Sequence, residues 1–146
     1  MPLNLTPEFL IFSLVFIVLN FVLDLFSKKV LHIDGTDFLF FAPWLTAIKF
    51  GIYEGIILAI VILVVHAFMH MRIARFILLS FPTQILAVFM GYFFGLEGFW
   101  VTLVVYYFAS SVITALLGGL GGGYLMFLLA NSITNIAAFF VYQFIF

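Results

Sequence analysis

Long apolar runs with almost no charge inside them fill this sequence. Only 8% of the 146 residues are charged and 67% are hydrophobic, with a mean hydropathy of +1.39. A soluble domain carries about 25% charged residues, so composition excludes a soluble fold. A helix needs about 20 residues to cross the hydrocarbon core, and a chain of this length therefore crosses at most about six or seven times.

The predicted fold is an all-α integral membrane protein, a compact bundle of about six short transmembrane helices in a single domain over 1–146. Backbone groups in lipid must be paired within the chain, and the alternating pattern of a membrane β-barrel is absent from the sequence. The predicted spans are 9–26, 38–50, 52–71, 75–94, 99–117 and 124–146.

The stretch 38–50 leaves two topologies open, because it is short and contains Pro43. It either crosses the membrane and forms a tight hairpin with the next span, or it is re-entrant, which leaves five crossings.

Basic residues indicate an orientation if there are six crossings. Four of them then share one side, side B, and Lys49 alone marks the opposite side, side A; the four are Lys28, Lys29, Arg72 and Arg75. The positive-inside rule places side B in the cytoplasm, and with five crossings this bias weakens. We expect a multi-pass protein of the cell membrane. Five scattered basic residues do not form a nucleic-acid surface, and the absence of cysteine excludes disulfides and thiolate sites.

Polar residues inside the predicted spans gather in the half of the bilayer next to side B. A polar side chain in lipid costs free energy unless it has a partner, so each is a candidate functional residue. The sequence predicts a polar cavity opening toward side B, with Arg72 and Arg75 near its mouth as topology anchors or as contacts for an anionic ligand. The candidate ligand-binding residues are Asn20, Asp24, His66, Gln84, Asn131 and Asn135.

Several of these polar and small residues have a structural alternative. Asn131 and Asn135 are spaced i, i+4 on one helix face, which equally suits interhelical amide bonds. Gly51 and Gly55 have the small-xxx-small spacing of a helix packing face.

His66 and His70, also four residues apart on one helix face, have the spacing of metal ligands. A third ligand is required, and Asp24, His32 or Asp34 are the candidates. Glu54 lies twelve residues before His66, about 18 Å along the same helix, and is too distant. The sequence contains no HExxH, GxSxG or phosphate-loop motif, so we assign no catalytic residue, metal or cofactor, and a metal-dependent intramembrane enzyme is the third-ranked hypothesis.

The stretch Leu45–Ile57, LTAIKFGIYEGII, followed by a span containing Pro82 and a late span containing Asn131, resembles the substrate-binding S-components of energy-coupling-factor transporters and the MreD-like rod-shape proteins. The resemblance implies a six-helix vitamin or micronutrient binder with its ligand pocket in one leaflet. Unlike those S-components, which carry small docking residues on their first span, this chain is bulky over 14–21, and its predicted termini are outside.

The leading functional hypothesis is therefore a membrane subunit that binds or passes a small solute. The alternative is a non-catalytic scaffold or complex subunit of the MreD-like kind. The expected partners are the lipid bilayer, a small-molecule substrate and further membrane subunits.

Overall fold

A computed structural model describes residues 5–31, 35–71 and 74–146. Within these ranges the chain is helical and contains no strand, which confirms the all-α class. The helices are α1 (Pro7–Phe26, extended by a π-helical turn at Ser27–Leu31), α2 (Phe41–Lys49), α3 (Ile52–Met69), α4 (Ala74–Leu79), α5 (Phe81–Phe94), α6 (Phe99–Leu116) and α7 (Gly122–Ile145).

Five helical segments of the described chain are long and apolar enough to cross a membrane, which makes this a multi-pass membrane protein. They are Pro7–Lys29, Ile52–Met69, Ile77–Phe94, Leu96–Leu116 and Gly122–Ile145. Their outward faces carry large apolar side chains, such as Ile11, Val104 and Phe108, which lipid accommodates. α4 and α5 meet at Ser80, directly before Phe81 and Pro82, and together make one crossing.

The second crossing is broken into two parts. α1 and α3 end together on side B, where His70 Nε2 lies 2.8 Å from the Asp24 carboxylate and Lys28 Nζ donates to the Met69 carbonyl at 3.2 Å. The two helices therefore run parallel, and the chain between them must return from side B to side A. It does so through the irregular segment 35–40 and then α2, which at nine residues is about 13 Å long. In the described chain this path agrees with the crossing alternative and with a bundle of about six helices, of which five are long and apolar enough to cross a membrane.

α2 is the centre of the bundle, and small residues let its neighbours approach it closely. Its residues from Phe41 to Ala47 are all buried. A Cβ at Gly55 of α3 would lie 3.0 Å from the Ala47 side chain, and a Cβ at Gly91 of α5 would lie 2.7 Å from the Trp44 carbonyl oxygen. The packing role predicted for Gly55 is confirmed, whereas Gly51 provides the turn into α3 with a φ of +125°.

Aromatic side chains fill the side A half of the core. The rings of Phe99 and Phe139 stack with centroids 3.8 Å apart, and the Trp44 ring meets Phe99 edge-on at 5.3 Å. Phe9 at the start of α1 packs against Phe50 at the end of α2. This packing leaves most buried polar groups to the other half of the bundle.

An apolar lateral groove of about 1020 Å³ lies between α1 and α7, with α2 at its base. Phe16, Phe41 and Val141 are among its lining residues. At its side A end, Lys49 Nζ lies 4.6 Å from the centroid of the Phe146 ring. The groove is distinct from the polar half of the bundle, since its walls are almost entirely hydrocarbon.

Candidate functional site

The six predicted ligand residues are all buried in the interior of the bundle. Their exposed fractions range from 0% to 4%, for Asn20, Asp24, His66, Gln84, Asn131 and Asn135. They come from four helices, α1, α3, α5 and α7, and form two groups and one isolated residue. We call the whole set, with Asp37 and His70, the polar centre.

Three amides of the first group bind the backbone of the broken crossing. Asn20 Oδ1 accepts the Phe38 N–H at 2.7 Å, and Asn135 Oδ1 accepts the Phe41 N–H at 3.2 Å. Asn131 Nδ2 donates to the Gly35 carbonyl at 3.0 Å. Irregular backbone at membrane depth is tolerated only where the protein satisfies its polar groups. The amides supply those bonds. Most of their contacts are therefore structural, because they hold the backbone of the bundle.

The same amides continue into a network with Asp37 and Tyr107. Asn135 Nδ2 donates to Asn131 Oδ1 at 2.8 Å, and the Tyr107 hydroxyl donates to the same oxygen at 3.0 Å. Asp37 Oδ1 accepts from Asn131 Nδ2 at 2.9 Å and from the Leu39 N–H at 3.1 Å. Asp37, which lies directly before the predicted span 38–50, is fully buried, because the chain re-enters the bundle at residue 35.

Asp24, His66 and His70 form the second group, at the side B ends of α1 and α3. His70 Nε2 lies 2.8 Å from both carboxylate oxygens of Asp24, and His66 Nδ1 lies 3.8 Å from Asp24 Oδ2. The two imidazole rings have centroids 4.5 Å apart. One donor atom from each residue fits within 4.8 Å of the others. Of the three sequence candidates for a third ligand, Asp24 occupies this position, while His32 and Asp34 lie outside the described residues.

Several buried polar atoms of the polar centre have no hydrogen-bond partner among the residues that the structure describes. They are Asn20 Nδ2, Asp37 Oδ2 and Gln84 Oε1, with Trp44 Nε1 at the base of the centre. Buried polar atoms in proteins are nearly always bonded to protein, water or a ligand. These atoms are therefore the positions where water or a solute would bind.

Gln84 is the isolated residue of the predicted set. Among the residues that the structure describes, its Nε2 reaches only Ser80 Oγ, at 3.4 Å and on the preceding turn. Arg72 lies outside the described residues, as does the side chain of Arg75 on α4, so the predicted anion contacts stay predictions.

Asp37, Tyr107 and Glu54 are polar or charged residues of the interior that were not among the predicted ligands. Asp37 and Tyr107 belong to the amide network described above, and Glu54, at the start of α3, is buried with 3% exposure. A carboxylate in the first turn of a helix is typical of dipole stabilisation, so the burial of Glu54 could not be recognised from its neighbours in sequence. Asp37 lies directly before an apolar run, where a carboxylate is ordinarily assigned to the loop, so its burial could not be recognised either.

No known family model, curated protein or solved structure is detectably similar to this chain. The likeness to energy-coupling-factor S-components and MreD-like proteins stays a prediction from the residues.

Proposed function

We propose that this protein is a membrane subunit that binds a small polar solute in the polar centre and takes part in its uptake or permeation. The observation that supports it is the broken second crossing, whose irregular segment 35–40 enters the polar half of the bundle. Transporters build their solute and ion sites from discontinuous membrane helices, where backbone and side-chain polar groups face a common cavity.

The unpartnered polar atoms support the same proposal. Asn20 Nδ2, Asp37 Oδ2 and Gln84 Oε1 come from three different chain segments, so a bound solute would supply the partners that these three atoms lack in the described chain. A solute with both donors and acceptors matches this set of one donor and two acceptors.

A ligand screen tests the proposal directly. The full chain in lipid nanodiscs would be screened by thermal shift and native mass spectrometry against water-soluble vitamins and divalent metal ions. We expect at least one compound to raise the unfolding temperature and to bind at one copy per chain. A folded protein that responds to no compound would contradict the proposal.

Gln84 is the informative position for a variant, because its side chain holds no backbone group of the broken crossing. We expect Gln84→Leu to fold and to lose much of the ligand response. Ser13→Ala is the matched control, since Ser13 is also buried and polar but lies eleven residues before Asp24 on α1, about 16 Å away along the helix.

The second candidate function is a non-catalytic scaffold or complex subunit, and the lateral groove between α1 and α7 supports it. Its apolar walls and length suit a helix from another membrane subunit. Ala138→Trp would fill the groove without touching the amide network. Under this alternative, protein partners co-purify with the wild type and are lost with Ala138→Trp, and no solute binds.

We also propose that the protein lies in the cell membrane with side B in the cytoplasm. The chain has no cysteine, so single cysteines report their side cleanly. Gly119→Cys, in the side B loop, should be shielded from a membrane-impermeant thiol reagent in intact cells, while Glu97→Cys, in a side A loop, should react. The opposite pattern would reverse the orientation.

A further inference from the structure

We propose that Asp24, His66 and His70 bind one divalent transition-metal ion at the side B end of the polar centre. This inference rests on the proposed function for its physiological meaning, but the metal site itself stands on the geometry of the three side chains.

The spacing of the donor atoms is close to that of a metal site. Ligands about 2.0 to 2.2 Å from a tetrahedral ion lie about 3.4 Å from one another. The observed separations are 2.8 Å between His70 Nε2 and Asp24, and 3.8 Å between His66 Nδ1 and Asp24. The first separation must widen by about 0.6 Å and the second shorten by about 0.4 Å. The third, between the donor atoms of the two histidines, is at most 4.8 Å and shortens by no more than about 1.4 Å. Side-chain rotations of this size need no helix movement.

The three residues are also held in place from both helices. Asp24 and His66 are buried to more than nine-tenths, and His70, the C-cap residue of α3, is buried nearly as fully at the side B end. His66 and His70 lie one turn apart, so their rings face the same way. Three residues after Asp24, α1 changes to a π-helical turn over Ser27–Leu31. Single π-helical turns are frequent at functional sites.

The donor set determines the class of ion. Two imidazoles and one carboxylate suit zinc, cobalt, nickel, iron and manganese, whereas calcium and magnesium prefer sites made of oxygen alone. Asp37 interacts electrostatically with both Asp24 and His66 and brings a second carboxylate toward the ion, with Oδ2 lacking a hydrogen-bond partner in the described chain. Two carboxylates would therefore balance the charge of a divalent ion. The ion would in turn stabilise two negative charges that the buried environment disfavours.

The competing explanation is an ion pair, in which a protonated His70 donates to Asp24 and no metal is involved. The two explanations differ in what the wild-type protein does with metal. A charged imidazole cannot ligate, and a metal ion displaces its proton. The decisive experiment therefore measures metal on the full chain before any variant is made.

The full chain in nanodiscs, first treated with chelator, would be titrated with Zn²⁺ and separately with Co²⁺. We expect one ion per chain by native mass spectrometry, visible absorption from four- or five-coordinate Co²⁺, and zinc X-ray absorption that reports two imidazole ligands. Asp24→Asn and His66→Gln should each weaken binding by more than about 10-fold, the loss that even an outer-sphere change causes. Ser13→Ala should bind as the wild type does.

Each other result overturns the metal site. The metal site is overturned if the chain retains no ion, if the two variants bind metal as the wild type does, or if X-ray absorption shows oxygen ligands only. The X-ray measurement uses the wild-type chain and so does not depend on the folding of a variant. If an organic solute shifts the unfolding temperature while metals do not, the metal site fails and the proposed function stands. If neither shifts it, both fail.

Discussion

Replacing Asn135 with Leu tests whether the polar amides hold the broken crossing together. Leu has the same number and branching of non-hydrogen side-chain atoms as Asn, so the change removes hydrogen bonds without opening a cavity. Asn135 Oδ1 accepts the N–H of Phe41, the first residue of α2, and Asn135 Nδ2 donates to Asn131 Oδ1. In the variant, Asn131 Oδ1 still accepts from Tyr107, but the buried Phe41 N–H is left without an acceptor.

The structure sets the size of the effect. A buried donor left unbonded costs about 1 to 3 kcal/mol, and one interhelical polar contact in a membrane protein contributes about 0.6 kcal/mol. We therefore expect Asn135→Leu to lower the free energy of unfolding by about 2.5 kcal/mol, which is somewhat under a hundredfold in the equilibrium constant. If water reached Phe41, only the contact of about 0.6 kcal/mol would be lost.

Unfolding by sodium dodecyl sulfate in mixed micelles, followed by tryptophan fluorescence, measures this difference, because Trp44 lies in α2 itself. Thr134→Val is the control on the same helix, since the Thr134 hydroxyl bonds only its own helix, at the Ala130 carbonyl. It should change the free energy by less than about 0.5 kcal/mol. An Asn135→Leu protein as stable as the control would refute the backbone role of the amide and favour ligand contact instead.

Three further substitutions have expected outcomes under the same assay. Gly91→Ala places a methyl group 2.7 Å from the Trp44 carbonyl and should destabilise by about 1 to 3 kcal/mol, whereas Gly123→Ala, with open space around its Cβ, should have little effect; equal effects would show that α5 does not pack this closely. Tyr107→Phe should cost only about 0.6 kcal/mol, because the amide oxygen it serves keeps a second donor at 2.8 Å, and a loss above 2 kcal/mol, roughly the maximum for such contacts, would contradict this. Ser13→Ala removes a buried hydroxyl that has no partner in the described chain and should be neutral or stabilising; a clear loss of stability would mean that the hydroxyl is bonded after all.

The helical class and the side of the bundle that carries polar groups could be predicted, because both follow from local composition and helix rise. The proximity of Asp24 to the histidines of α3 could be predicted for the same reason. The distance of each residue from the end of its helix shows which residues lie at the same depth in the membrane. Hydropathy also located the second crossing, but it could not show that only Phe41–Lys49 of it is helical.

The burial of Asp37 could not be predicted, because it depends on a partner 94 residues away. Hydropathy assigns a carboxylate at the edge of an apolar run to the loop. Here Asn131 and the Leu39 N–H bond that carboxylate and let the chain enter the membrane earlier. The roles of the amides could not be predicted either, because an amide side chain is equally suited to bind a backbone group and to bind a ligand.

The broken crossing also imposes an order on biosynthesis. A nine-residue helix preceded by irregular backbone cannot partition into lipid alone, because its N–H and carbonyl groups would be unbonded there. Two of the three amides that bond it belong to α7 and lie 94 and 96 residues further along the chain than the groups they bond. Residues 35–49 therefore reach their final depth only after α7 has left the ribosome, and a truncated chain that lacks α7 exposes that segment to membrane quality control.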